Sequence, residues 1–179
     1  QTIDLVITDN SWEWEDASGN WVTVGGGNVG CFTGWWPSPG MPFTGGGSRS
    51  IWSTLRNSLQ TVKMRKNFDY LCEGQKDSIY AMADDQSEIF INGVFIGATN
   101  TWQQLFKFEI PKGVLVLNGT NQIVIIGADK AQGCWFTAAR VFSYRPLTKK
   151  YFEKNQGDCK LKVECFLPCD VNSCFVQNI

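Results

Sequence analysis

"SEIFINGVFIGAT", residues 87–99, decides how the rest of this chain reads. Asn92-Gly93 stands between two runs of β-branched and aromatic residues, and a two-residue type I′ turn needs positive φ at both central positions, which Asn and Gly tolerate best. The stretch therefore reads as a β-hairpin. Such a turn sets Ile91 opposite Val94, Phe90 opposite Phe95 and Ile89 opposite Ile96. The aliphatic pairs then share one face and the aromatic pair the other. The aliphatic face is expected to enter a core. The Phe90/Phe95 face needs a cover, for which the tryptophan-rich N-terminal segment or the cysteine-rich C-terminal tail are available.

Outward from the hairpin, residues 61–145 repeat its pattern: "TVKMRKNFDY", "DSIYAMA", "LFKFEIP", "NQIVIIGA" and "CWFTAARVFSY" are strand-length runs separated by Gly, Asn, Asp or Pro. So many short strands in this span predict an all-β sandwich or barrel. Residues 1–60 carry six of the eight tryptophans, glycine triplets at 25–27 and 45–47, and "GWWPSPG", which is loop chemistry with aromatic anchors. "TIDLVIT" and "GNWVTV" alternate there as half-buried strands do. In "SRSIWSTLRNSLQ" the recurrence of Ile51, Leu55 and Leu59 predicts about one helical turn. Residues 1–145 thus read as one sandwich domain with a loop-rich N-terminal part. Residues 146–179, polar and basic and then carrying four cysteines, read as a tail held by disulfides or by packing on the sandwich.

A chain of 179 residues that is 43% hydrophobic and 18% charged can bury one substantial core. With a net charge of -1 and no block of like charge it offers no electrostatic footprint for nucleic acid or an anionic membrane. Its most apolar runs, "GVLVLNG" and "QIVIIGA", have strand length and fall short of the roughly 18 residues that membrane insertion by a helix requires. Cys31, Cys72, Cys134, Cys159, Cys165, Cys169 and Cys174 lack a paired C-x-x-C zinc pattern and read as disulfide partners. Cys31 pairing with Cys134 or Cys72, and one or two bridges within the tail, are natural arrangements. The odd count leaves one thiol free or bonded to a second chain. The N-terminal Gln1 suggests a processed start, and Asn118-Gly119-Thr120 is a glycosylation sequon in a turn-like context, so a secreted protein is expected. Without histidine, Ser-His-Asp and Cys-His hydrolysis and histidine-based zinc sites are excluded. No phosphate-binding loop is present, and no carboxylate pair sits in a recognisable catalytic setting, so the chain is not read as an enzyme.

The order of pieces, an aspartate-bearing strand, an "hxhNGhxhG" hairpin, a "W…F.h" strand, an "N.hhhhh" strand and a last strand with small residues before an aromatic, resembles the galactose-binding-domain-like jelly-roll superfamily over about residues 60–145. Members of that superfamily serve as carbohydrate-binding modules and as accessory domains of glycoside hydrolases. The resemblance implies a jelly-roll β-sandwich that binds carbohydrate or glycoprotein without catalysis, through loops at one end. Trp35, Trp36 and Trp102 would supply aromatic platforms, and Asn100 and Asp85 the hydrogen bonds. Tryptophans in such loops also pin irregular backbone to a sandwich, and Trp135, next to Cys134, looks like core packing. Asp84-Asp85 has three readings: turn chemistry at a strand start, direct bonding to a ligand, or a calcium site. In the calcium reading, similar to the Asp-Asp pair of yeast flocculin and protective-antigen-like lectin domains, Asn100, Thr101 or Asp129 would complete the oxygen shell. A rival function is a self-assembling subunit of an extracellular matrix, coat or adhesive, joined as a homo-oligomer by its surfaces or by an intermolecular disulfide.

Overall fold

The computed structural model describes residues 2–27, 50–55, 59–71 and 75–144, and the backbone of three further strands between 149 and 178. The strands are β1 (Thr2–Ile7), β2 (Glu13–Glu15), β3 (Trp21–Thr23), β4 (Gly25–Gly26), β5 (Ile51–Trp52), β6 (Thr61–Tyr70), β7 (Lys76–Asp84), β8 (Gln86–Ile91), β9 (Val94–Thr99), β10 (Phe106–Glu109), β11 (Gly119–Ala128), β12 (Phe136–Tyr144), β13 (Lys149–Gln156), β14 (Cys159–Phe166) and β15 (Cys174–Asn178). The fold is all-β, with no helix among the described residues. One antiparallel sheet runs β10-β7-β12-β5-β4, with β1 also paired to β12, and the second runs β3-β2-β6-β11-β8-β9. The two face each other as a sandwich. β13, β14 and β15 form a sheet of their own, in which Cys165 stands opposite Cys174.

In the second sheet the alternation of the sequence becomes alternation of burial. Val62 and Met64 on β6 and Ile123 and Ile125 on β11 join the core cluster, while Lys63, Arg65, Val124 and Ile126 turn away from it. Opposite them, Ile79, Ala81, Ala139 and Val141 of β7 and β12 close the core, with Trp12, Trp14 and Trp52 filling it from the N-terminal part. Each such buried valine, isoleucine or methionine side chain contributes about 1.5–3 kcal/mol. The first sheet does not alternate: Met82, Ala138 and Phe142, on its other face, are 4%, 0% and 7% exposed, so β7 and β12 are buried on both faces. That accounts for "DSIYAMA" and "CWFTAARVFSY" reading as nearly continuous apolar runs.

The hairpin departs from its expected register. Ile91 pairs with Val94 and Phe90 with Phe95, but Ile89 pairs with Gly97, leaving Ile96 as a β-bulge. The reason lies in the other sheet: a Cβ on Gly97 would stand 2.4 Å from Phe108 Cδ1 of β10, so only glycine fits opposite Ile89, and one extra residue brings it there. No cover lies over the aromatic face among the described residues, and most of the two segments expected to supply it lies outside them. Phe90 and Phe95 meet edge-on with centroids 5.5 Å apart, and Phe95 stays 55% exposed. We expect Gly97→Ala to destabilise the protein by about 1–3 kcal/mol through overpacking. Urea unfolding would show a lower midpoint at unchanged slope, and Phe108→Leu in the same chain should restore part of the loss. An unchanged midpoint would contradict the close approach.

Two other expectations are corrected. Within the stretch read as a helical turn, Ile51 and Trp52 form β5 instead, where Ile51 pairs with Thr137 of β12, while residues 48, 49 and 56–58 lie outside the described residues. Leu55 and Leu59 are 56% and 60% exposed, so the three apolar residues never share a face. "GVLVLNG" is a loop rather than a strand, bounded by positive φ at Gly113 (83°) and Asn118 (57°). Asn121, the first residue of the "N.hhhhh" motif and 1% exposed, organises that loop. Its Oδ1 accepts the Val116 N–H at 2.8 Å and the Asn92 side-chain amide at 2.7 Å, and its Nδ2 donates to Val116 O at 3.1 Å and Gly119 O at 3.0 Å. All hydrogen-bonding positions of one buried amide are thereby used, tying the hairpin tip to the loop.

Candidate functional site

Antiparallel pairing decides which loops share an end. Phe136 pairs with Asp84, Ala128 with Gln86 and Ser87 with Thr99, so the ends of β7, β9 and β11 and the starts of β8 and β12 lie together. The Ser87 and Thr99 hydroxyls, 2.9 Å apart and buried, pin β8 to β9 and bring Asn100 beside Asp85 and Gln86. This end collects Asp84, Asp85, Asn100, Trp102 and Asp129. Trp35 and Trp36, the other expected platforms, lie outside the described residues.

The carboxylates here turn toward backbone. Asp85 joins Asp84 through a cis peptide bond; its N–H donates to Ala128 O at 2.9 Å and its Oδ2 accepts the Lys130 N–H at 2.8 Å. Asp129 is 4% exposed, and its oxygens accept the N–H groups of Leu59 at 2.8 Å and Ala131 at 3.1 Å. Both therefore perform the turn chemistry that aspartates offer at strand ends. Asp84 differs. It is 6% exposed, and burial first, then its hydrogen bond with Asp85 and the charges of Asp85 and Asp129, push its pKa up from 3.8 to about 7. A raised carboxyl would suit a general acid, but such an acid must reach its substrate, and Asp84 is covered.

Three of the oxygens a cation would need are held on backbone N–H groups, and no group of three or more His, Cys, Asp or Glu side chains among the described residues is arranged to hold a metal. Asn100 is exposed and Trp102 half-buried, in a turn where Thr101 Oγ1 accepts the Gln103 N–H at 3.2 Å. Asn118 lies at the opposite end, beside the hairpin tip: it is exposed, and its N–H donates to Tyr70 O at 2.8 Å. Cys134 is 6% exposed and disulfide-bonded. Cys31, Cys72 and Cys169 lie outside the described residues, and of Cys159, Cys165 and Cys174 only the backbone is described.

The Asn118 end also holds a concavity that the sequence reading missed, a cleft of about 610 Å³ whose lining includes Tyr70, Asp77, Lys112, Leu115 and Leu117. The Tyr70 hydroxyl donates to Asp77 Oδ2 at 2.8 Å across the two sheets, while Asp77 Oδ1 is buried with no hydrogen-bond partner among the described residues. A tyrosine ending one strand and an aspartate starting the next was the available signal, and it reads equally well as ordinary strand punctuation.

No protein-family description matches this chain. No curated protein matches it either. Among solved structures it is similar to a β-D-glucuronidase for Dictyoglomus thermophilum, at 12% identity and a TM-score of 0.47, over 90% of this chain and 32% of that one. It is also similar to a glycosyl hydrolase family 2 member from Bacteroides cellulosilyticus, at 13% identity and a TM-score of 0.48, over 90% of this chain and 24% of that one. A third is a β-glucuronidase from Ruminococcus gnavus, at 11% identity and a TM-score of 0.45, over 100% of this chain and 34% of that one. The chain spans about a third or less of each of these enzymes.

Proposed function

We propose that this chain is a non-catalytic, extracellular carbohydrate-binding module that holds its ligand at the Asp85–Asn100–Trp102 end of the sandwich. The observation that carries this reading is the convergence there of three segments distant in sequence, 84–86, 100–102 and 129–131, through the β7, β8, β9 and β11 registers. Asp85 is an acceptor fixed in place by Lys130 N–H, Asn100 adds an exposed amide, and the Trp102 ring offers an apolar flank for sugar C–H groups. Support for an extracellular setting comes from the disulfide at Cys134, the opposition of Cys165 and Cys174, which suits an internal bridge of the tail, and the exposed sequon at Asn118.

A glycan array of the intact protein, run with calcium and again with chelator, tests this. Binding is expected in both conditions. Trp102→Ala and Asn100→Ala should each weaken it about tenfold or more while the circular dichroism stays unchanged. Binding that chelator abolishes would overturn the turn-chemistry reading of Asp84-Asp85. A blank array combined with concentration-dependent association in sedimentation would favour a self-assembling subunit. One observation supports that second reading: the edge strand β9 carries no charged residue, and its Val94 and Phe95 are 45% and 55% exposed.

A further inference from the structure

We propose that the cleft between Tyr70, Asp77 and Leu117 is a second carbohydrate pocket, at the opposite end of the sandwich, for one neutral pyranose ring. Three observations lead there. The cleft, at about 610 Å³, falls in the size range of small-ligand sites. Among the described residues Asp77 Oδ1 lacks the donor that buried oxygens almost always have, and Tyr70 already occupies Oδ2, so the missing partner is a hydroxyl or N–H from outside those residues. Around this acceptor the wall is apolar on one side, with Ile110, Leu115 and Leu117, and charge-balanced on the other, where Lys76 is paired with Glu109 and Lys112 offsets Asp77. A cation or anion gains nothing from such a lining. A neutral ring with an apolar C–H face and a hydroxyl rim satisfies both walls and the orphan oxygen.

The pyranose can come from two sources, because Asn118 follows Leu117 at the rim. Val116, Leu117 and Leu71 are 53%, 46% and 66% exposed around it, so the first sugar of a glycan carried by Asn118 would have apolar surface to lie on. The other source is a free glycan. The pocket stands independently of the Asp85 end, and the measurement separates the two by residue.

The experiment is an amide NMR titration of the full chain carrying Thr120→Ala, which removes the sequon but keeps the asparagine that the positive φ of residue 118 favours. The probes are the methyl pyranosides of glucose, galactose, mannose and N-acetylglucosamine. At least one should shift the amides of 110–117 saturably. Asp77→Asn should weaken that response about tenfold, and so should Leu117→Arg, a change at an exposed rim that leaves the floor intact. Titrating the glycosylated wild type then identifies the source: a response reduced about tenfold assigns the pocket to the chain's own glycan, and an equal response assigns it to free glycans. Absence of any shift at 110–117 with all four probes overturns the proposal, as do shifts that neither substitution weakens. Shifts confined to 84–86 and 100–102 would support the Asp85 site and overturn this one.

Discussion

Asp84→Asn is expected to stabilise the protein at pH 8 and to change it little at pH 4. The folded-state pKa of Asp84, about 7, lies above its ordinary 3.8, chiefly because the side chain is buried. Below about pH 4 the group is protonated in the folded and the unfolded chain, so it carries no penalty. Between about pH 4 and pH 7 the unfolded chain releases the proton while the folded chain keeps it, and stability falls as pH rises. Above about pH 7 the loss is complete, on the order of 2–4 kcal/mol. Asparagine mimics the protonated acid: it is neutral, and its amide can donate to the Asp85 carboxylate. Urea unfolding of both proteins at pH 4, 6 and 8 isolates this one group, because every other titration is common to the pair. A gap that grows with pH in favour of the variant is the expected result. A constant gap would mean that Asp84 ionises normally in the fold.

The second large effect concerns Asn121. Removing its amide leaves the Val116 N–H without its acceptor, costs the Asn92 amide one of its two acceptors and takes a donor from two carbonyls, around a side chain that is 1% exposed. Asn121→Ala should cost about 3–4 kcal/mol, since unsatisfied buried groups cost more than the net worth of the bonds they lose. For a chain of this size that corresponds to a fall of roughly 10 °C in Tm. Hydrogen exchange should show the Val116 amide and the Asn92–Gly93 tip opening first. Uniform acceleration across both sheets would instead place the loss in general core packing.

Features that depend on local chemistry are legible in the amino-acid sequence. Asn92-Gly93 announces its turn because φ is 50° and 78° at these two residues, a requirement that neighbours along the chain do not alter. Alternation in "TVKMRKNFDY" matches β6 because one face of that strand meets solvent. The failures share a different cause. Ile51 and Trp52 become a strand through pairing with Gly25–Gly26 and Thr137, contacts that an i, i+4, i+8 pattern cannot reveal. Nor does the sequence around Asp129 reveal that its carboxylate holds the backbone of Leu59, 70 residues away. Loop composition singles out Asp85, Asn100 and Trp102 one by one, and only the β8–β9 and β8–β11 registers explain why they share an end. The Tyr70–Asp77 cleft leaves only an ambiguous trace in the sequence because its two sides belong to different sheets.

The bulge at Ile96 absorbs one residue, and what it protects is the glycine's place opposite Ile89. Were β9 to pair regularly with every residue kept, Ile96 would come to stand opposite Ile89 and beneath the Phe108 ring, and the glycine would turn outward. Such a slip would act within the sheet as a frameshift acts within a message, misplacing every side chain downstream as far as Thr99. Loss of the half-buried Ile96 itself would leave Gly97, Ala98 and Thr99 opposite Ile89, Glu88 and Ser87, so the strand can spare the residue that bulges far more easily than the glycine that follows it.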